Sequence, residues 1–371
     1  MKQIAYLGLA LGATLAFAAC SDAQVKMGIA GPITGPNAAF GAQLSKGTEQ
    51  AVEDINAAGG ILGRKIVLSY GDDMSNPKEA VSIANKFAAE GVQFVIGPWN
   101  SGVVIPASDS YENSGIVVIT PSATNPKVTE RGLWNVFRTC GRDDQQGDVA
   151  ASYLLSKFKG KKVAIVHDKT SYGQGLAAAT KKALNKGNMN EVLYEGVSPG
   201  EKDYSALVSK IKVSGAELVY WGGLHPEAAL IVRQMRERRI KAILMSGDGI
   251  TTDEFASAGG PAVEGTLMTW QRDPRNRSEA ATVVKKFRDK KIEPEATTLY
   301  SYAAVEVIKQ AAEQAKSLDP RKVADVIHSG KSFTTVLGEL SYDKNGDVTR
   351  PDYVMYVWKK QPDGKITYVE E

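Results

Sequence analysis

The stretch from Val92 to Thr124 reads VQFVIGPWNSGVVIPASDSYENSGIVVITPSAT. It contains two apolar runs, Phe94–Ile96 and Ile116–Ile119, which are rich in the β-branched residues that favour strands. The segment between them has the length of a helix. This order of strand, loop, helix and strand is typical of a parallel sheet covered by helices, in which ligands bind outside the carboxyl ends of the strands. The stretch therefore predicts an α/β fold and one wall of a ligand site.

Small hydroxyl residues follow each of these two strands. Ser101 follows the first strand, and Thr120, Ser122 and Thr124 follow the second. Hydroxyl groups, loop N–H groups and the positive end of a helix dipole can together hold a small anion such as a carboxylate. Ser101 and Thr124 could equally cap the helices that follow them, which is a common role for such residues. The sequence alone leaves both interpretations open.

The alternation of strands and helices continues on both sides of this stretch. A first series contains predicted strands at Val25–Ala30 and Lys65–Tyr70 and predicted helices at Gln43–Ala58 and Lys78–Glu90. A second series follows Cys140, with strands at Lys162–Val166, Glu191–Glu195, Leu218–Trp221 and Ala242–Met245 and helices at Asp148–Phe158, Leu176–Lys186, Tyr204–Val213 and Glu227–Arg238. Further helices are predicted at Ser278–Lys290 and Ala303–Lys316. We predict two Rossmann-like lobes with parallel-sheet cores covered by helices.

Length and composition agree with two soluble lobes. A chain of 371 residues exceeds one ordinary hydrophobic core. Its 43% hydrophobic and 23% charged residues are those of a soluble globular protein. A net charge of +3 is small for this length, so charge indicates neither nucleic acid nor a membrane surface as a partner. We expect a monomer.

The N-terminus has the pattern of an export signal. Lys2 precedes the apolar run Ile4–Ala19, which fits a secretory signal peptide over residues 1–23 and a periplasmic location. Alternatively, the residues before Cys20 form an imperfect lipobox, and Cys20 would then carry a lipid anchor. In either case Cys140 has no partner cysteine, so we expect a buried thiol and no intramolecular disulfide.

Motifs for metal binding or catalysis are missing from the sequence. His167, His225 and His328 are far apart and have no metal-ligand spacing, so we expect no metal, cofactor or catalytic residue. The segment Tyr342–Asp347 superficially resembles a calcium loop, but its glycine is misplaced and a β-turn is the better interpretation. An exported α/β hydrolase is the competing class, and it would need a nucleophile with an activating base at the strand ends.

The loops of the second series carry residues that could bind a cation. Tyr172 follows one predicted strand and Asp248 follows another. A carboxylate forms a strong charge-assisted hydrogen bond with an ammonium group. The two series together therefore match a zwitterion. Asp248 could instead be an ordinary turn residue, and Tyr172 and Trp99 could be packing aromatics.

Several motifs carry a resemblance to a known family. They are GPITGPNAAFG (31–41), VIGPWNSG (95–102), AIVHDKTSYGQGLA (164–177) and VYWGGLHPEAA (219–229). The chain resembles the periplasmic leucine/isoleucine/valine-binding proteins of ABC transporters, which have the type I periplasmic binding fold. The resemblance implies three hinge crossovers, an N-terminal lobe of residues 24–142 and 271–350, and a C-terminal lobe of residues 143–270 and 351–371. It also implies an inner-membrane ABC permease as partner, or a regulatory role as an amino-acid or amide sensor.

The same resemblance implies roles for five residues. Ser101 and Thr124 match positions that bind the ligand α-carboxylate, and Ser122 matches one whose carbonyl helps to hold the ammonium. Tyr172 matches a residue that closes over the ligand from the second lobe. Asp248 matches the acidic partner of the ammonium, where the family usually has glutamate.

Four positions depart from the family and should shape the side-chain pocket. Trp99 stands where leucine binders have a smaller aliphatic residue, and Phe40 and Leu224 stand where larger polar aromatics are common. Thr297 falls at an aromatic position. We expect Trp99 to narrow the pocket and Leu224 and Thr297 to widen it. The expected ligand is a neutral aliphatic amino acid of the leucine/isoleucine/valine class, with alanine, proline and γ-aminobutyrate left open.

One further departure concerns a cysteine pair that staples the first lobe in some relatives. Ser75 and Asn100 stand at those positions. We therefore expect hydrogen bonds to hold this loop.

Overall fold

The computed structural model describes residues 24–371, and the predicted signal peptide with Cys20 lies outside them. The first sheet consists of five parallel strands, β1 (Val25–Gly31), β2 (Ile66–Asp72), β3 (Phe94–Ile96), β4 (Val117–Thr120) and β5 (Val136–Arg138). Their spatial order is β2, β1, β3, β4, β5. Helices α1 (Ala38–Ala57), α2 (Pro77–Glu90) and α3 (Ser101–Asn113) connect the first four strands.

The first sheet is covered by helices on both faces. On β3, Phe94 and Ile96 pack in the same cluster as Leu44 of α1, whereas Val95 packs with Phe87 of α2. Successive residues of a strand point to opposite faces, so a strand covered on both sides needs a continuous apolar run. This burial explains the unbroken apolar sequence of the opening stretch.

The second sheet begins with five parallel strands in a second alternating series. The strands are β6 (Val163–His167), β7 (Glu191–Gly196), β8 (Leu218–Gly222), β9 (Ile243–Ser246) and β10 (Leu267–Gln271). The accompanying helices are α4 (Asp143–Lys157), α5 (Ser171–Lys186), α6 (Ser205–Ser214), α7 (His225–Glu237) and α8 (Asp253–Gly259). The repeated architecture confirms the predicted α/β fold class.

The rest of the chain returns to the first sheet and then to the second. Helices α9 (Ala281–Asp289), α10 (Ala296–Ala315) and α11 (Pro320–His328) and the small hairpin β11 (Phe333–Thr335) and β12 (Gly338–Leu340) follow β10. Strands β13 (Tyr353–Lys360) and β14 (Ile366–Glu370) then join the second sheet in antiparallel pairing, which gives the order β14, β13, β10, β9, β8, β6, β7. The chain therefore passes between the two sheets three times.

Helix α10 packs against α1 of the first sheet. The contact is close at Gly47, where a Cβ atom would lie 2.0 Å from the carbonyl oxygen of Thr298. Glycine is therefore required at this crossing. Through this contact the returning segment becomes part of the layer that covers the first sheet.

Four helices begin at least five residues earlier than the sequence predicted. Helix α1 begins at Ala38, α4 at Asp143, α5 at Ser171 and α10 at Ala296, which is five to seven residues before the predicted starts. The first turns of α10 are buried all round and the first turn of α4 is polar, so neither shows the apolar periodicity that marks a helix half exposed to solvent. These missed turns face the region between the sheets.

The turn near the C-terminus is a β-turn, as predicted. The N–H of Gly346 donates to the carbonyl of Asp343 at 3.1 Å, and Tyr342 pairs with Val348 in an antiparallel bridge. Cys140 is a buried free thiol, as expected. Within residues 24–371, no helix combines the length and apolar character that a membrane span requires.

Candidate ligand-binding site

A narrow cleft lies between the carboxyl edges of the two sheets. Six predicted residues line it, namely Trp99, Ser101, Ser122, Tyr172, Asp248 and Thr297. Asn100 and Trp270 complete the lining. The elements that deliver these side chains come from both sheets, so the cleft exists only where the two sheets face each other.

The first wall is formed by the start of α3 and the loop after β4. The N–H of Asn125 donates to the hydroxyl of Ser101 at 3.2 Å, and the hydroxyl of Ser122 donates to the carbonyl of Trp99 at 2.8 Å. These bonds tie the two loops together. The start of α3 adds the positive end of a 13-residue helix to this wall.

The capping interpretation of Ser101 and Thr124 is wrong. Asn100 occupies the N-cap position of α3, and Ser101 is the first helical residue. Asn125 caps the short 3₁₀-helix Pro126–Val128, where its side chain accepts a hydrogen bond from the N–H of Lys127. Thr124 is fully buried and does not line the cleft, but its carbonyl accepts from the N–H of Asp143 at 2.9 Å.

The second wall is formed by Tyr172 at the start of α5 and Asp248 after β9. The Tyr172 hydroxyl donates to Oδ1 of Asp248 at 2.7 Å and accepts from the N–H of Gly249 at 2.9 Å. Asp248 is only 7% exposed, and burial raises its pKa to about 6. Among the described residues no lysine or arginine pairs with this carboxylate. A buried carboxylate in this state gains free energy when a ligand cation pairs with it.

Trp99 is held in place by a stack of rings. It stacks on Phe40 with ring centroids 4.0 Å apart, and Phe40 meets His225 at the start of α7 edge-on at 5.1 Å. Burial lowers the pKa of His225 to about 4, so its ring is neutral in this contact. Phe40 therefore supports Trp99 from behind and does not line the cleft itself.

Thr297 and Leu224 lie in different surroundings. The N–H of Thr297 donates to Oε1 of Gln43 at 3.2 Å, and its hydroxyl bonds to the same atom, which fixes a small side chain in the cleft at the start of α10. Leu224 lies outside this cleft, in an adjoining groove of about 1160 Å³ that shares Asn100 and Tyr172 with it. Of the two residues expected to widen the pocket, only Thr297 lines the cleft.

The two walls are in contact, so the structure represents a closed cleft. The side-chain amide of Asn125 donates to the carbonyl of Ser171 at 2.7 Å across the gap. The carboxylate of Glu295 accepts from Gln43 at 3.0 Å on one side and from the N–H of Asp253 at 3.2 Å on the other. These bonds connect the N-terminal and C-terminal walls.

Hydrogen bonds replace the cysteine pair in the first-lobe loop, as expected. The hydroxyl of Ser75 donates to Oδ1 of Asn100 at 2.9 Å and accepts from the side-chain amide of Asn37 at 2.9 Å. The loop that carries Trp99 is thereby fixed to the loop after β2.

A buried ion-pair network lies beneath the first wall. Arg138 pairs with Asp347 at 2.6 Å, and Arg142 pairs with the second oxygen of Asp347 at 2.8 Å. Arg138 also donates to the carbonyls of Ala123 and Asn125 at 2.8 Å and 3.1 Å. The β-turn that contains Asp347 thus anchors the loop after β4.

The comparison with known proteins places this architecture in a family. A sequence profile of the periplasmic binding proteins matches residues 24–364. The chain belongs to this family. Membership implies a periplasmic location for the protein.

The relatives and solved structures that resemble this periplasmic binding protein cover all or nearly all of its length. A Leu/Ile/Val-binding protein homolog 1 from Brucella melitensis is 57% identical over 371 residues, which is 100% of both chains. The leucine binding protein LivK from Thermotoga maritima matches with a TM-score of 0.85 and 28% identity, covering 93% of this chain and 97% of that one. LivJ from Streptococcus pneumoniae, solved with isoleucine, matches with a TM-score of 0.82 and 26% identity, covering 94% and 100%.

Sequence reasoning missed two lining residues of this periplasmic binding protein. Trp270 lies on β10, 5.4 Å from the ring of Tyr300, and Asn100 lies directly before α3. The apolar run that contains Trp270 predicts only a buried strand. For Asn100, the signal was its place at the carboxyl end of β3, beside Ser101.

Proposed function

We propose that this periplasmic binding protein captures a neutral aliphatic amino acid in the cleft and presents the closed form to an inner-membrane ABC permease. One observation carries the proposal. The buried carboxylate of Asp248, without a cationic partner among the described residues, lies across the cleft from the start of helix α3. The ammonium of a zwitterion would pair with Asp248, and its carboxylate would lie at the start of α3.

The rest of the lining favours an uncharged ligand side chain. Asp248 is the one charged residue among the eight that line the cleft, and it would be paired with the ligand ammonium. Trp99 and Trp270 offer apolar surface. A second charge on the ligand would find no described partner there and would be costly to bury. This supports leucine, isoleucine or valine, with alanine, proline and γ-aminobutyrate as further candidates.

The names of the relatives support the same ligand class. The Brucella protein is called a Leu/Ile/Val-binding protein homolog, and the Streptococcus protein was solved with isoleucine. Trp99 and Thr297 line the cleft in this protein. We therefore expect its order of preference among these amino acids to differ from that of the relatives.

Closure is proposed to follow ligand capture. We propose that residues 24–142 with 271–350 and residues 143–270 with 351–371 move as two lobes about the three crossovers. Only the closed arrangement lets Asp248 and the start of α3 contact one ligand, so the ligand shifts the equilibrium towards it. We further propose that the protein acts as a monomer after removal of the signal peptide or with a lipid at Cys20.

Contacts of the cleft serines support binding over hydrolysis. The hydroxyl of Ser122 donates to the carbonyl of Trp99, and that of Ser101 accepts from the N–H of Asn125. Within residues 24–371, neither hydroxyl is bonded to a histidine that could act as its base.

Isothermal calorimetry tests the proposal directly. L-leucine, L-isoleucine, L-valine, L-alanine, L-proline and γ-aminobutyrate are titrated into the purified protein, with L-aspartate and L-lysine as charged controls. We expect at least one neutral amino acid to bind far more tightly than both controls. Failure of every neutral amino acid to bind would overturn the proposal, and turnover of an ester or amide substrate would replace it with the hydrolase.

A further inference from the structure

Gln146 lies in the first turns of α4 and is fully buried. Its Oε1 accepts two hydrogen bonds, from the main-chain N–H of Asp248 at 3.2 Å and from the hydroxyl of Thr269 at 2.9 Å. Thr269 lies on β10, the strand that precedes the second crossover between the sheets. One side chain therefore connects the ammonium-binding aspartate to both α4 and β10.

We propose that Gln146 is a positioning residue that orients Asp248 for the ligand ammonium. The inference rests on the proposed function, which assigns Asp248 to the ammonium. Gln146 does not line the cleft, so it acts on the ligand only through Asp248.

The amide end of Gln146 supplies the second part of the argument. Its Nε2 is buried and makes no hydrogen bond of normal geometry among the described residues, but it lies close enough to the Asp248 carboxylate to lower the pKa of that group, in opposition to the larger effect of burial. The amide thus favours the ionised carboxylate, which is the form that binds an ammonium.

The main chain beside Asp248 is shaped for this contact. A Cβ atom on Gly247 would lie 2.8 Å from Oε1 of Gln146 and 2.6 Å from a methyl group of Leu176. A larger residue there would displace the ends of the Leu176 and Gln146 side chains, and so disturb the bond to the N–H of Asp248. The GDG sequence therefore has a packing reason in addition to its role as a turn.

Other titratable groups face Asp248, and the test must separate Gln146 from them. They are Tyr172 on α5, Asp143 on α4, Tyr220 on β8, Tyr353 on β13 and Cys140 before α4. Burial raises the pKa of each of them, and their substitution is not needed in the experiment.

The test compares Gln146→Met with the wild type by calorimetry from about pH 4 to about pH 8, with L-leucine, L-valine, L-alanine and L-proline as probes. Methionine keeps the length of the side chain and removes the amide. We expect affinity at neutral pH to fall about tenfold, because the buried main-chain N–H of Asp248 loses its partner and the loop that carries the carboxylate is no longer fixed. We also expect the pH at which binding is half lost to move upwards, a shift that a merely structural role would not produce.

Gln271→Met is the matched control. Gln271 is a buried glutamine near the same crossover, and its Oε1 accepts from the N–H of Gly141 at 3.3 Å, with no bond to Asp248. We expect this variant to keep the pH midpoint of the wild type. A shift as large as that of Gln146→Met would mean that any buried amide near the hinge acts alike, and it would overturn the assignment.

Thr269→Val covers the case in which Gln146→Met does not fold. It removes one of the two donors to Oε1, so we expect a smaller shift of the midpoint in the same direction. If Gln146→Met or Thr269→Val folds and binds the ligand with the same pH midpoint as the wild type, the role of Gln146 is overturned. The proposed function would then remain intact. A wild type that binds none of the four amino acids would overturn both.

Discussion

The two walls of the cleft differ in their chemistry, and we propose that each holds one end of the ligand. The first wall consists of neutral hydroxyls, amides and a helix start, and its hydroxyls are already bonded to loops of the same lobe. The second wall places one carboxylate, Asp248, in a buried position with a raised pKa. The hydroxyls of the first wall therefore have partners within their own lobe, whereas the carboxylate of the second wall would gain its counter-charge from a ligand ammonium. We expect substitutions and pH to affect the two walls unequally.

Asp248→Ala should have the largest effect. It leaves the ligand ammonium buried without a counter-charge, so affinity should fall by about 2 to 5 kcal/mol, which is about thirtyfold or more. Calorimetry measures this loss, and Asp148→Ala at an exposed position of α4 serves as the control. Binding as tight as that of the wild type would remove Asp248 from the site.

Trp99→Leu should change which amino acid is preferred. Trp99 lines the cleft on the first wall, and we expect a smaller side chain there to leave room for added methylenes on the ligand. One methylene discriminates by about 1 to 3 kcal/mol, so the affinity for L-leucine relative to L-alanine should rise about tenfold. Phe40→Leu, which alters the support of Trp99 without changing a lining residue, should have a smaller effect. An unchanged ratio would show that Trp99 does not set side-chain size.

Acid should weaken binding through the second wall. Burial raises the pKa of Asp248 to about 6, and a bound ammonium would lower it again. Affinity should therefore be constant above this pKa and fall as the pH drops through it, by up to about tenfold per pH unit. Asp248→Asn should bind the ligand weakly, and its affinity should change little with pH. A wild-type profile equally flat down to about pH 4 would contradict the role of an ionised Asp248.

The sequence could predict most of the fold and part of the site because strand ends are visible in a sequence. Apolar runs followed by Ser101, Ser122 and Asp248 indicated where the loops would meet. The contribution of Gln146 could not be predicted, since a polar residue in the first turns of a helix looks like a solvated one. Its burial depends on β10 and the Asp248 loop closing over it.

Tertiary packing that the sequence does not show also explains the residues that were assigned or placed less well. Helix α10 begins seven residues before its predicted start because its first turns are buried all round and lack an amphipathic period. Trp270 was not singled out from the sequence, since only the packing of the two sheets brings β10 to the cleft. Phe40 and Leu224 were assigned through resemblance, and side-chain packing moves them behind the wall and into the adjoining groove.

The most direct test of the zwitterion site compares L-leucine with two analogues that each lack one charge. 4-Methylpentanoate keeps the carboxylate and loses the ammonium, and 3-methylbutylamine keeps the ammonium and loses the carboxylate. Calorimetry measures all three with the wild type and with Asp248→Ala. We predict that both analogues bind the wild type far more weakly than L-leucine, and that Asp248→Ala reduces binding of L-leucine but not of 4-methylpentanoate. Binding of 4-methylpentanoate to the wild type as tightly as L-leucine would contradict the account.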